Sequence, residues 1–182
     1  FTPSEDKILF GLSAIKNLGD GAIRSLLSER ESKGSYKSLA DLCDRIPSQL
    51  INRRGLEALI HSGALDSLEQ NANRAQLNAD LDLIIDWANS RAKDRISGQG
   101  NLFDLADQVS QDNAPKDLLP APKSPGIPDY SKSEKLRLEK ELVGFYLSDH
   151  PLKQLSPPAK LIAPIGLSSL ADQRDKAKVS VV

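Results

Sequence analysis

The sequence has little of what usually announces a chemistry. Among 182 residues there are one cysteine, one tryptophan, two histidines and no methionine, and aromatic side chains make up 4%. A single thiol excludes an internal disulfide framework and fits a reducing compartment such as the cytoplasm. Cys43 stands with Leu39, Leu42 and Ile46 at helical spacing, which predicts a core position rather than a reactive one. His61 and His150 have no Cys or His neighbours at metal-ligand spacing, and no phosphate-loop or dinucleotide fingerprint occurs. No apolar run reaches the length of a membrane span, and no stretch reads as a signal peptide. The net charge of −1 excludes a global basic field, so any contact with nucleic acid has to be local and weak. Phe1, the absence of methionine and the strand-like run Lys178–Val182 predict an internal piece of a longer protein.

What is present begins with Ile15–Leu27. Ile15 and Leu18 flank a tight Asn17-Leu18-Gly19 turn, and a new apolar period runs through Ala22, Ile23, Leu26 and Leu27. This predicts a helix, a hairpin turn, and a second helix opening at Asp20 and Gly21. A helix start has unpaired N–H groups and a positive dipole end, which suit a phosphate. Gly19 and Gly21 would let a nucleic-acid backbone approach without meeting a Cβ. The stretch resembles a helix-hairpin-helix element, with Asn17 where the family usually carries glycine. Asn tolerates the left-handed conformation best after Gly. The residues equally allow an ordinary helical corner. Lys16, Asn17, Leu18, Gly19, Asp20 and Gly21 are the candidate DNA-contacting residues.

Lys7–Leu12 is short and apolar, a strand or the lead-in to a helix. The Asp20 helix is expected to run to a C-cap at Gly34, with Arg24, Glu29, Arg30, Glu31 and Lys33 solvated. Ser38 and Asp41 predict a capping box opening a short helix that ends before Pro47. Asn52 caps another, with Leu56, Leu59 and Ile60 on one face, closing at Ser62-Gly63 before a helical start at Ala64–Leu68. This imperfectly repeats the first unit and suggests a degenerate second hairpin, with Arg53 and Arg54 either touching phosphate or plain surface charge. Asn71 or Asn73 opens the longest helix, to about Arg95. Leu77, Leu81, Ile84, Ile85, Ala88 and Ala92 form its apolar face, and Trp87 is half-buried beside it.

Composition changes after Ile96. Residues 97–130 hold Pro115, Pro120, Pro122, Pro125 and Pro128, the chemistry of an extended, mobile linker. Within it stands Gln99-Gly100-Asn101-Leu102-Phe103, which resembles the sliding-clamp-binding motif of bacterial replication proteins. Leu102 and Phe103 would plug an apolar groove, worth roughly 1.5–3 kcal/mol each, while Gln99 bonds at the rim; the same residues equally allow Leu102, Phe103 and Leu105 to fold back onto the helical domain. Ser131 and Glu134 predict a second capping box, with Leu138, Leu142 and Phe145 on the buried side. Pro157, Pro158 and Pro164 predict an irregular connection, and Ile165–Leu170 and Lys178–Val182 the start of a truncated β-domain. Asp41 and Asp44 stand where a helix-hairpin-helix glycosylase would carry its catalytic Asp, but Asp41 is better explained by capping.

Phe10–Lys16 with its hairpin, Asn52–Asp66, Gln99–Phe103 and Glu141–Leu152 together resemble the alpha subunits of bacterial replicative DNA polymerase III, the C-family polymerases. The resemblance implies a non-catalytic segment spanning the end of the fingers, a tandem helix-hairpin-helix domain, the clamp-binding segment and the threshold of an OB domain. The polymerase's catalytic aspartates and its Mg²⁺ would lie elsewhere in the parent. Implied partners are double-stranded DNA, held weakly by its backbone, the sliding clamp (beta subunit), and the rest of the holoenzyme. The expected fold is mainly α. Residues 1–96 form a compact helical domain, 97–130 a linker, 131–152 a helix returning to that domain, and 153–182 the β (OB-type) opening. A helical protein–protein adapter and a stand-alone helix-hairpin-helix repair protein are the alternatives.

Overall fold

The computed structural model describes residues 2–4, 7–68, 73–97, 121–163 and 178. Strands β1 (Thr2–Ser4) and β2 (Lys7–Leu9) pair antiparallel, Thr2 opposite Leu9. The apolar run at Lys7 therefore begins as strand. A single 3-10 turn, Leu12–Ala14, follows, and then the helices α1 (Asp20–Lys33), α2 (Leu39–Arg45), α3 (Arg53–His61) and α4 (Arg74–Ser97). After residue 120 come α5 (Lys132–Val143), a 3-10 segment at Pro151–Leu155, and α6 (Ser156–Ile162). The described chain is mainly α, as its periodicity predicts.

The helix boundaries follow from local chemistry. Ser38 Oγ accepts the Asp41 N–H at 3.1 Å, Asn52 Oδ1 that of Gly55 at 2.9 Å, and Ser131 Oγ that of Glu134 at 3.2 Å. Asn73, not Asn71, starts α4, its Oδ1 accepting the Gln76 N–H at 2.9 Å. Gly34 ends α1 at φ +79°, a conformation open to glycine without penalty. α4 is the spine: α2 and α3 both pack along it, and α5 closes against α3. Leu39, Leu42, Ile46, Leu59, Ile60 and Leu81 are fully buried where these helices meet. Each contributes about 1.5–3 kcal/mol by leaving water. Cys43 belongs to the same core, and burial pushes its thiol up to about 12, which keeps it protonated and inert. Trp87 is half-buried, with the Arg91 guanidinium 5.0 Å from its ring centroid.

Several expectations are corrected. Among the described residues no full helix precedes Asn17: Ile15 turns extended after the 3-10 turn, and the Lys16 N–H goes to Leu142 O at 2.9 Å instead of continuing a helix. Ala64–Leu68 is a chain of turns, not a helical start. On α5 the buried line is Leu136, Glu139 and Val143, while Leu138 and Leu142 are half-buried and Phe145 is 55% exposed. Pro157 and Pro158 do not prevent α6, because they sit in its first turn, where the missing N–H has no intrahelical acceptor to lose. Residues 121–130 are not free-running linker either. They are bonded to α4 through Asn73, Gln76 and Asp80. Gln99–Phe103, the rest of 98–120, and Ile165–Leu170 lie outside the described residues.

Candidate nucleic-acid interface

Asn17 has φ +66°, the only positive φ at a non-glycine among the described residues. That reverses the chain between Ile15 and Leu18, whose side chains both enter the core. The two apolar anchors fix the turn from inside and leave Lys16, Asn17, Gly19, Asp20 and Gly21 exposed. At the start of α1 the first intrahelical bond is from the Ile23 N–H to Gly19 O, at 3.1 Å. Gly19 has no side chain to cap the amides of Asp20, Gly21 and Ala22, so no N-cap side-chain bond satisfies those donors; Asp20 and Gly21 are exposed and Ala22 is buried.

The glycines separate into two kinds. A Cβ at Gly19 or Gly21 would meet no atom within 4 Å, and neither has positive φ. Among the described residues nothing requires glycine there. Gly21 even costs α1 roughly 0.5–1 kcal/mol relative to alanine. Gly55, by contrast, lies beside the first hairpin: a Cβ would stand 3.5 Å from Asn17 O and 3.3 Å from Ile51 Cγ1. Gly63, at φ +80°, would put a Cβ 2.3 Å from an Arg74 nitrogen.

The cationic candidates divide likewise. Arg54 is exposed and lines the same shallow cleft as Asn17. Arg53 is committed internally, its Nε donating to Asp82 Oδ1 at 2.6 Å and another nitrogen to Glu57 at 3.2 Å. Lys16 keeps an exposed side chain, but its backbone amide is used by Leu142. The open main-chain donors are therefore those of the first turn of α1.

Behind the second turn stands an ion network that the sequence did not disclose. Arg74, 3% exposed, donates to both oxygens of Asp66, to His61 O, and to Glu139 Oε1 at 3.0 Å. Glu139, 0% exposed, also accepts the Leu147 and Ser148 N–H groups at 2.9 and 3.0 Å. Burial alone would raise its carboxyl; the two amides and Arg74 outweigh that and hold it below the ordinary glutamate value. The network ties α4, the Ser62–Leu68 turn and the segment after α5 into one body. His61 Nε2 stands 3.3 Å from the Tyr130 hydroxyl, and burial lowers its pKa.

The carboxylates at a glycosylase-like distance are structural. Asp41 accepts the Lys37 N–H at 2.9 Å and pairs with Arg45, while Asp44 holds Arg91 and Arg95. His150 Nδ1 accepts the Leu152 N–H at 3.2 Å. Among the described residues there is no group of three or more His, Cys, Asp or Glu side chains able to hold a metal. Nor is any described helix long and apolar enough to cross a membrane.

The family described as the helix-hairpin-helix motif matches residues 1–77. Similar proteins include the DNA polymerase III subunit alpha of Neisseria meningitidis serogroup A, 42% identical over 174 residues, 95% of this chain and 14% of the relative. The proteins of the same name from Thermus aquaticus and Haemophilus influenzae are 39% and 33% identical, over 81% and 98% of this chain. The chain spans 11% and 14% of their lengths.

Proposed function

The chain belongs to the family of DNA polymerase III alpha subunits, and from that premise we propose that it is a DNA-anchoring segment that takes no part in the chemistry. The amides of Asp20, Gly21 and Ala22 receive phosphates of duplex DNA, with Lys16 and Arg54 at the edge of the contact. The observation that carries this is the pair Gly19 and Gly21: open to solvent, at ordinary φ, with no interior reason to be glycine. A phosphate backbone drawn onto the amides would supply the missing reason. Such a grip reads no base and carries no sequence preference. Asp20, whose carboxylate shares that turn, keeps it weak. Nucleotide transfer and the Mg²⁺ it uses belong to other parts of the polymerase, outside this chain.

Gly21→Ala tests the grip. The substitution is expected to raise stability by about 0.5–1 kcal/mol in a denaturant titration. In fluorescence anisotropy the same protein binds a short duplex several-fold more weakly. Undiminished duplex affinity would remove the phosphate role.

We also propose that Gln99–Phe103 fastens the polymerase to its sliding clamp. The support is the pattern itself: a polar Gln, a Gly-Asn pair and two adjacent large apolar side chains at the start of a proline-rich stretch. Two weak contacts on one chain suffice, since the first raises the effective concentration for the second.

A further inference from the structure

α5 ends at Gly144, whose φ of +88° turns the chain out of the helix while its amide still bonds Lys140 O at 3.1 Å. Phe145 and Tyr146 follow, and both are exposed. Directly after them the chain is fixed again, where buried Glu139 accepts the Leu147 and Ser148 N–H groups. Two large aromatic side chains are thus held in solvent by a loop pinned at both ends. Phe10 stands against Phe145, with ring centroids 5.8 Å apart, and His150 meets Tyr146 edge-on at 5.7 Å.

The charge at these rings is positive. The Lys140 ammonium donates to Gly144 O at 2.8 Å and lies 5.4 Å from the Tyr146 centroid and 6.0 Å from that of Phe145. Tyr146 lines a cleft of about 390 Å³ together with Lys132, Arg137, Lys140 and His150, and no carboxylate is among its lining residues. Asp149, which pairs with Lys132, and Glu134 and Glu141, which pair with Arg137, stand outside that lining. Arg137 also lines the cleft of Asn17 and Arg54, where Glu57 and Glu141 are each paired with an arginine. The two clefts meet at Arg137. Leu142, three residues before Phe145, accepts the Lys16 N–H, which sets the aromatic pair beside the hairpin.

We propose that Phe145 and Tyr146 are a stacking platform for unpaired bases, with Lys132, Arg137 and Lys140 along the phosphates. The segment then prefers duplex that continues into single strand over blunt duplex. A duplex keeps its base faces inside its own stack. An unpaired base offers a face, and exposed rings beside cations take it whatever the sequence. The pinned loop loses little freedom on binding. For the duplex part of the contact the inference rests on the proposed phosphate role of α1. A protein partner would need only the apolar surface here, whereas a base needs the ring face.

Fluorescence anisotropy on the full chain tests this with one duplex made blunt or given an oligothymidine tail at its 3′ or its 5′ end. The wild type binds at least one tailed duplex about fivefold or more tighter than the blunt one. Replacing both rings, Phe145→Leu with Tyr146→Leu, keeps an apolar surface and brings the tailed duplex down to the blunt value. Blunt-duplex affinity is unchanged in that variant, which shows that the fold is kept. Phe145→Tyr with Tyr146→Phe retains the preference. Equal wild-type affinity for blunt and tailed duplexes, or a preference that survives the leucine pair, overturns the platform. NMR needs no substitution: oligothymidine alone moves the Phe145 and Tyr146 ring protons upfield, and unmoved rings contradict the proposal. Gly21→Ala weakens blunt and tailed duplexes alike and leaves their ratio intact. Failure of the α1 reading therefore shows in blunt-duplex affinity, and failure of the platform in the ratio and the ring shifts.

Discussion

Glu139 is the residue that most separates sequence from structure. On α5, positions 136, 139 and 143 share a face as well as 138, 142 and 145 do, and a charged residue at the middle of the first set turns attention to the second. The structure buries the set with the charge, because Arg74 and the Leu147 and Ser148 amides satisfy it. Breaking a buried pair from one side costs about 3–5 kcal/mol, since the remaining charge stays buried without its partner. The folded carboxyl lies below the ordinary glutamate value of 4.5, so near that pH the unfolded chain binds more protons. The pair's stabilisation is therefore complete above pH 4.5 and lost as pH falls through the folded value. Glu139→Gln should lower the urea midpoint at pH 7 and flatten its decline in acid. An acid limb identical to the wild type would remove Glu139 from this role.

At the scale of elements, what could be read was what local chemistry decides. Ser38, Asn52 and Ser131 cap the helices that the sequence opens there, and Gly34 closes α1. Asn17 takes the left-handed turn for which its side chain is suited. What could not be read depends on partners distant in the chain. Nothing near Pro122, Pro125 or Pro128 shows that Ser124 and Ile127 are held by Asp80 and Gln76, so proline content alone suggests a loose linker. Likewise, Arg53 and Arg54 look alike until Asp82 claims the first. The clamp motif is an element-scale proposal of the same kind, local in sequence and dependent on a partner. Replacing Leu102 and Phe103 with alanine should abolish capture by immobilised clamp while circular dichroism and duplex affinity stay unchanged. Capture retained by the double variant would remove the clamp assignment.

The whole molecule has net charge −1 and no global field to draw DNA in, and its described residues present an open hairpin at Lys16–Gly21. Phe145, Leu161 and Ile162 are exposed on the same chain, at 55%, 87% and 82%. Leu161 and Ile162 belong to α6, the last described helix. The proposed hold is made through phosphates, and such a hold has a signature that packing or base recognition lacks. Each phosphate contact contributes about 0.9 to the slope of log affinity against log salt, whatever the sequence. Duplex affinity across a salt series, on two duplexes of unrelated sequence, is the most direct test. The expected result is equal affinities falling together with a slope of about one to three contacts. A flat salt dependence, or clear preference for one sequence, would contradict anchoring through the first turn of α1.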